Sequence, residues 1–101
     1  MAKVTETRSY PTHPVDRCYQ AAEAALPGSG FKVWKTRPVA WLIMARREGP
    51  EGLVEANLAA RPGVGATVTL TLSGESSGEA ALHSLAEKIF GELEDSLSAA
   101  S

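Results

Sequence analysis

From Ala66 to Ser73 the chain alternates without a break: Ala66, Val68, Leu70 and Leu72 against Thr67, Thr69, Thr71 and Ser73. Period two is the signature of a strand with one buried and one open face. Soon after, Leu82, Leu85, Ala86, Ile89, Phe90, Leu93 and Leu97 recur at helical spacing. On a wheel of 100° per residue they share one face of roughly 140°. A one-faced strand followed by a one-faced helix requires the two apolar faces to meet. Ser76-Ser77-Gly78-Glu79 supplies a cap for that helix.

The rest of the chain follows the same rules. Lys3 to Tyr10 mixes Val4, Thr5, Thr7 and Tyr10 with charges, as a half-exposed edge strand does. Pro11-Thr12-His13-Pro14 stops it. A helix is expected next, with Thr12 or His13 before it and Pro14 in its first turn. Val15, Cys18, Tyr19, Ala22 and Leu26 form its apolar stripe. Pro27-Gly28-Ser29-Gly30 ends it. Strand-like runs then cover Phe31 to Thr36, Val39 to Arg46, Leu53 to Ala60 and Ala66 to Ser73. They are separated by turn residues at Arg37-Pro38, Gly49-Pro50-Glu51-Gly52 and Pro62-Gly63-Val64-Gly65. The expected fold is α+β, in the order β-α-β-β-β-β-α: one antiparallel, curved sheet with two helices on one face. Residues 1–97 form a single domain, and 98–101 a frayed tail.

Hairpins centred at Arg37/Pro38, Gly49 and Gly63 give a specific prediction. They pair Trp34 with Trp41, Leu42 with Ala56, and Leu58 with Val68. The core face then holds Phe31, Val33, Leu42, Met44, Val54, Ala56, Leu58, Val68, Leu70 and Leu72. The outer face reads Trp34–Trp41–Asn57–Thr69, with Lys32–Ile43–Glu55–Thr71 beside it. Two tryptophans on a face that no helix covers mark an interaction surface. Trp34, Trp41, Ile43 and Asn57 are therefore the interface candidates, for a second copy or a protein partner.

Two stretches resemble the START/Bet v1-like superfamily, the helix-grip or polyketide cyclase-like group. One is Tyr10-Pro11-Thr12-His13-Pro14-Val15-Asp16-Arg17-Cys18-Tyr19, which is similar to that group's opening strand and helix. The other is Gly65 to Gly74 with the long helix after it, which is similar to the group's last strand and gripping helix. The resemblance implies a sheet wrapped around the C-terminal helix and a cavity for a small apolar ligand. Leu42, Met44, Ala56, Phe90 and Leu93 are the pocket candidates, and the alternative function is that of a carrier or cyclase-like protein. Longer members carry six strands between the helices, whereas four are read here, so this is a short variant. A TATA-binding-protein-like half repeat has the same element order.

Composition narrows the function. Ten basic and twelve acidic residues leave a net charge of −2, which lacks the basic footprint of nucleic-acid binding. With Glu55 on the outer face, nucleic acid is not expected as a partner. The single cysteine, Cys18, lies on an apolar stripe and reads as a buried thiol rather than a nucleophile. No apolar run is long enough to span a membrane, and the start, Met1-Ala2-Lys3-Val4-Thr5-Glu6, lacks a signal peptide's apolar stretch. A cytoplasmic protein is expected.

No catalytic constellation is visible. His13 and Asp16 read as a helix-start pair, and His83 as a boundary histidine of the last helix. No metal or cofactor is expected, because two histidines on separate helices do not form a ligand set. Gly28-Ser29-Gly30 follows a helix and Gly63-Val64-Gly65 is a hairpin tip, so neither cradles phosphate. Arg37 and Arg61 fall toward one end of the sheet, with Arg46 and Arg47 toward the other. The sequence thus describes a small binding or assembly domain more than an enzyme.

Overall fold

The computed structural model describes residues 2–49 and 52–99. Strand β1 (Ala2–Tyr10) leads into helix α1 (Val15–Gly28). Four strands follow: β2 (Lys32–Arg37), β3 (Leu42–Gly49), β4 (Gly52–Gly63) and β5 (Gly65–Gly74). Helix α2 (Glu79–Ala99) closes the chain, and a short 3-10 turn (Pro38–Ala40) joins β2 to β3. The sheet is antiparallel throughout, in the order β1-β5-β4-β3-β2. The expected α+β layout is the one observed. α2 runs through Ser98 and Ala99, and of the tail expected over 98–101, Ala100 and Ser101 lie outside the described residues.

The alternating run in β5 behaves as its periodicity dictates. Ala66, Val68, Leu70 and Leu72 are buried, and the threonines between them face outward. On β4, Val54, Ala56, Leu58 and Ala60 line the same buried face. Against it pack Cys18, Tyr19, Ala22 and Leu26 of α1 and Leu82, Ala86, Ile89, Phe90, Leu93 and Leu97 of α2. Buried apolar area of this kind contributes roughly 25 cal/mol per Å².

The capping differs in detail from expectation. Pro14 is the N-cap of α1 and not a residue of its first turn. The C-terminus is a Schellman motif. The Phe31 N–H donates to the Leu26 carbonyl at 2.9 Å and the Gly30 N–H to the Pro27 carbonyl at 3.0 Å. Gly30 takes the left-handed φ of +85° that this motif needs. Phe31, buried to 3% exposure, seals the motif into the core.

Hairpin register is where the structure corrects the sequence. β2 and β3 pair Arg37 with Leu42 and Thr36 with Ile43, not Trp34 with Trp41. The expected strand at Val39 starts instead at Leu42, because Pro38–Ala40 coil into the 3-10 turn and lengthen the loop. Between β3 and β4, Leu42 pairs with Ala59 and Met44 with Asn57. That is an odd shift from the expected pairing, so β3 turns over: Ile43 and Ala45 are buried, and Leu42 and Met44 lie half-buried on the open face. β4 and β5 pair Leu58 with Leu70, two residues from expectation, which leaves every side chain on its predicted face.

Candidate functional site

Both helices lie on the core face, so the other face of the sheet has no cover from this chain. The registers set it out in rows running from β2 across to β1. The first reads Lys32, Arg46, Glu55, Ser73, Lys3; the second Lys35, Met44, Asn57, Thr71, Thr5; the third Arg37, Leu42, Ala59, Thr69, Thr7. Arg61, Thr67 and Ser9 complete the far corner. Trp34 occupies the β-bulge between Val33 and Lys35, 47% exposed, and the Arg46 guanidinium stacks over its ring at 4.5 Å. A cation on an indole at an exposed site is worth about 0.5–1 kcal/mol and holds both groups in place.

The face is graded in chemistry. β2 and Arg46 supply cations, and Trp34, Met44 and Leu42 form an apolar strip beside them. Asn57 and the threonines supply hydrogen-bonding groups beyond. Thr5 meets Thr71 at 3.3 Å and Thr7 meets Thr69 at 3.2 Å, hydroxyl to hydroxyl. Each such pair uses one O–H as donor and leaves the other free. Glu55 and Glu75, with Leu53, Ser73 and Gly74, line a shallow groove of about 230 Å³ at the end of the sheet away from Arg37.

Charge is segregated. Lys3, Lys32, Lys35, Arg37, Arg46 and Arg61 lie on the open face against three carboxylates, Glu48 and Glu55 on its strands and Glu75 at its end. The other described residues carry four cations and eight acids. The net −2 conceals a basic face and an acidic remainder. Lysine and arginine on an edge strand also discourage edge-to-edge aggregation, which accounts for Lys3, Lys32, Lys35 and Arg37. It does not account for Arg46 and Arg61, which lie on the interior strands β3 and β4.

The expected interface residues are divided. Trp34 and Asn57 are on the open face, as predicted. Ile43 is fully buried in the core. Trp41 leaves the sheet face altogether: its φ of +50° swings the indole to the helix side, where Nε1 donates to Asp16 Oδ1 at 2.9 Å. The expected pocket residues are divided too. Leu42 and Met44 are on the open face, whereas Ala56, Phe90 and Leu93 are core residues of 2% exposure or less. Lys35, Arg37, Leu42, Met44 and Arg46 are open-face residues that the parity of the expected registers did not place there.

The remaining polar groups on the helix side tie elements together. Glu94 Oε2 accepts from Arg8 at 2.9 Å and from Tyr10 Oη at 3.0 Å, which fastens α2 to β1. Burial, and then the bond to Glu94, push the Tyr10 phenol well above its ordinary range. Burial likewise pushes the Cys18 thiol up, which keeps it protonated and unreactive. His83 meets Glu6 at 3.2 Å, and His13 meets its neighbour Thr12 rather than Asp16. Among the described residues no cluster of three metal-ligating side chains forms. Nor is any helix there long and apolar enough to cross a membrane.

No family model matches the chain, and no curated protein matches it. Among solved structures it is similar to the crystal structure of TTHA0849 from Thermus thermophilus. The identity is 19% and the TM-score 0.69, over 99% of each chain. At that identity the likeness shows a shared fold alone.

Proposed function

We propose that the chain is a binding domain whose working surface is the uncovered sheet face, and that this face takes an anionic partner. The observation that carries the reading is the charge segregation: six cations against three carboxylates on one face of a chain whose net charge is −2. Arginines on the inner strands, one stacked on a half-exposed tryptophan, form a surface that attracts and orients a negatively charged molecule.

Self-association through the same face has less support. A two-fold pairing is isologous, so both copies would bring the same net-positive face to the interface. Like charges juxtaposed at an interface cost several kcal/mol. The START/Bet v1-like resemblance belongs to the same reading, as a short variant. The element order, with α2 packed on the sheet, is compatible with it, while Phe90 and Leu93, which the resemblance made pocket candidates, are buried in the core.

Two measurements test the proposal. The protein is expected to be retained on a heparin column at low salt despite its acidic pI of about 5.6. The double variant Lys35→Glu/Arg37→Glu should elute markedly earlier. Wild type passing through unretained would sink the reading. Native mass spectrometry is expected to give a monomer; a dimer mass abolished by Trp34→Ala would instead establish self-association.

A further inference from the structure

Resting on that reading of the open face, we infer that its occupant is a single-stranded nucleic acid. The argument is the order of chemistry across the strands. Along the row from Lys35, a ligand meets a cation, then the Met44 thioether beside the Trp34 ring, then the Asn57 amide, then the Thr71 and Thr5 hydroxyls. The row from Arg37 keeps the order with Ala59 in place of the amide: cation, Leu42, Ala59, Thr69, Thr7. A nucleotide laid across the sheet presents the same sequence of groups: a phosphate, an apolar sugar and base face, and a polar base edge.

The phosphates run along β2, over Lys32, Lys35 and Arg37. Lys35 and Arg37 are two residues apart on one strand, or about 6.6 Å, comparable with the step between phosphates of an extended strand. One base stacks on the part of the Trp34 ring that Arg46 leaves open, and its neighbours lie over Met44 and Leu42. Aromatic platforms beside a basic track are how sequence-tolerant single-strand binders work. An acidic peptide fits less well, because its carboxylates alternate with other side chains on both sides of its backbone. Four of the six cations on this face, Lys32, Lys35, Arg37 and Arg46, lie on the neighbouring strands β2 and β3, toward one side of the sheet. Glu55 and Glu48 sit at the end of the sheet away from Arg37 and do not interrupt the β2 track. The expectation against nucleic acid rested on total charge, which is not the charge of this face, and on Glu55, which is on the open face but two strands away from β2.

The test uses Trp41→Phe protein, so that Trp34 is the single tryptophan, with short oligo(dT) and oligo(U) as probes and poly-L-glutamate as the competing polyanion. The expected result is quenching of Trp34 emission by either oligonucleotide and weaker binding of duplex DNA. Log affinity should fall against log salt with a slope of roughly −2 to −3, at about −0.7 per phosphate neutralised by three or four cations. In the otherwise wild-type protein, Trp34→Ala should weaken binding about tenfold. Lys35→Glu/Arg37→Glu should abolish it, while each variant keeps a cooperative melting transition. Tighter binding of poly-L-glutamate, or duplex binding that Trp34→Ala leaves intact, overturns the nucleic-acid assignment and leaves the anionic face standing. If neither oligonucleotide, poly-L-glutamate nor heparin binds, both fall.

Discussion

The Trp41 indole Nε1 donates to the Asp16 carboxylate at 2.9 Å, joining the β2–β3 hairpin to the first turn of α1. This one bond explains why two tryptophans close in sequence lie on different sides of the sheet. Asp16 sits where an acid suits the helix dipole, and Trp41 adopts a left-handed φ that a bulky residue rarely takes. Asp16→Ala is expected to cost about 1 kcal/mol, the ordinary worth of a hydrogen bond at a solvent-accessible site. It should also move the Trp41 emission. Unchanged stability in urea together with an unchanged emission spectrum would show that the bond is not maintained in solution.

Gly65 is held at a φ of +75°, and a Cβ there would run into the Tyr10 carbonyl oxygen and the Pro11 backbone. Gly65→Ala is therefore expected to destabilise by about 2 kcal/mol or more, from the left-handed backbone and the collision together. Gly63, two residues away, has open space around it. Gly63→Ala should change stability by about 0.5 kcal/mol or less. Equal effects in denaturant titrations of the two variants would contradict the geometry of the β1–α1 corner.

Ser29 is 2% exposed at the end of α1, and its hydroxyl has no hydrogen-bond partner among the described residues. A buried, unpaired hydroxyl costs about 1–3 kcal/mol in protein interiors. Ser29→Ala should stabilise the protein by about 1 kcal/mol, which raises the melting temperature by roughly 4–8 °C for a domain of this size. A lower melting temperature would mean that the hydroxyl does have a partner.

Tyr10 links stability to alkaline pH. Its phenol is raised in the folded state, so the folded protein holds that proton more tightly than the unfolded chain does. The stability this contributes is complete below the ordinary tyrosine value of about 10 and falls as pH rises beyond it. Tyr19, also raised by burial, acts in the same direction. Urea midpoints for wild type should therefore drop above about pH 10, and those of Tyr10→Phe should drop less steeply. Parallel curves for the two proteins would remove Tyr10 as the source.

Ala56 separates a packed interior from a ligand cavity. It is 2% exposed and pairs with Leu72 and Ala45, both fully buried, beneath the helices. Ala56→Phe is expected to cost about 3 kcal/mol or more through overpacking. A variant that keeps its wild-type melting temperature would reveal space between sheet and helices that an apolar ligand could occupy.

The sequence alone determined the elements and most of their faces. In β5 apolar and polar residues alternate strictly, and in β4 Val54, Ala56 and Leu58 alternate with Glu55 and Asn57, so these side chains have only one face on which burial is favourable. The even register error there moved no residue across the sheet. The stripes of α1 and α2 fixed the helices in the same way.

β3 offered no such guide. Trp41-Leu42-Ile43-Met44-Ala45 is a continuous apolar run, and either parity buries apolar groups. Tertiary structure decided it. The 3-10 turn and the β3–β4 pairing placed Ile43 and Ala45 under the helices and delivered Leu42 and Met44 to the open face. The basic face arose from the same pairings. Charges scattered along a chain sum to −2 in any fold, but only strand register brings Lys32, Lys35, Arg37 and Arg46 together beside Trp34. Periodicity is local and legible in sequence, whereas the side of the sheet to which a uniform strand turns depends on its neighbours.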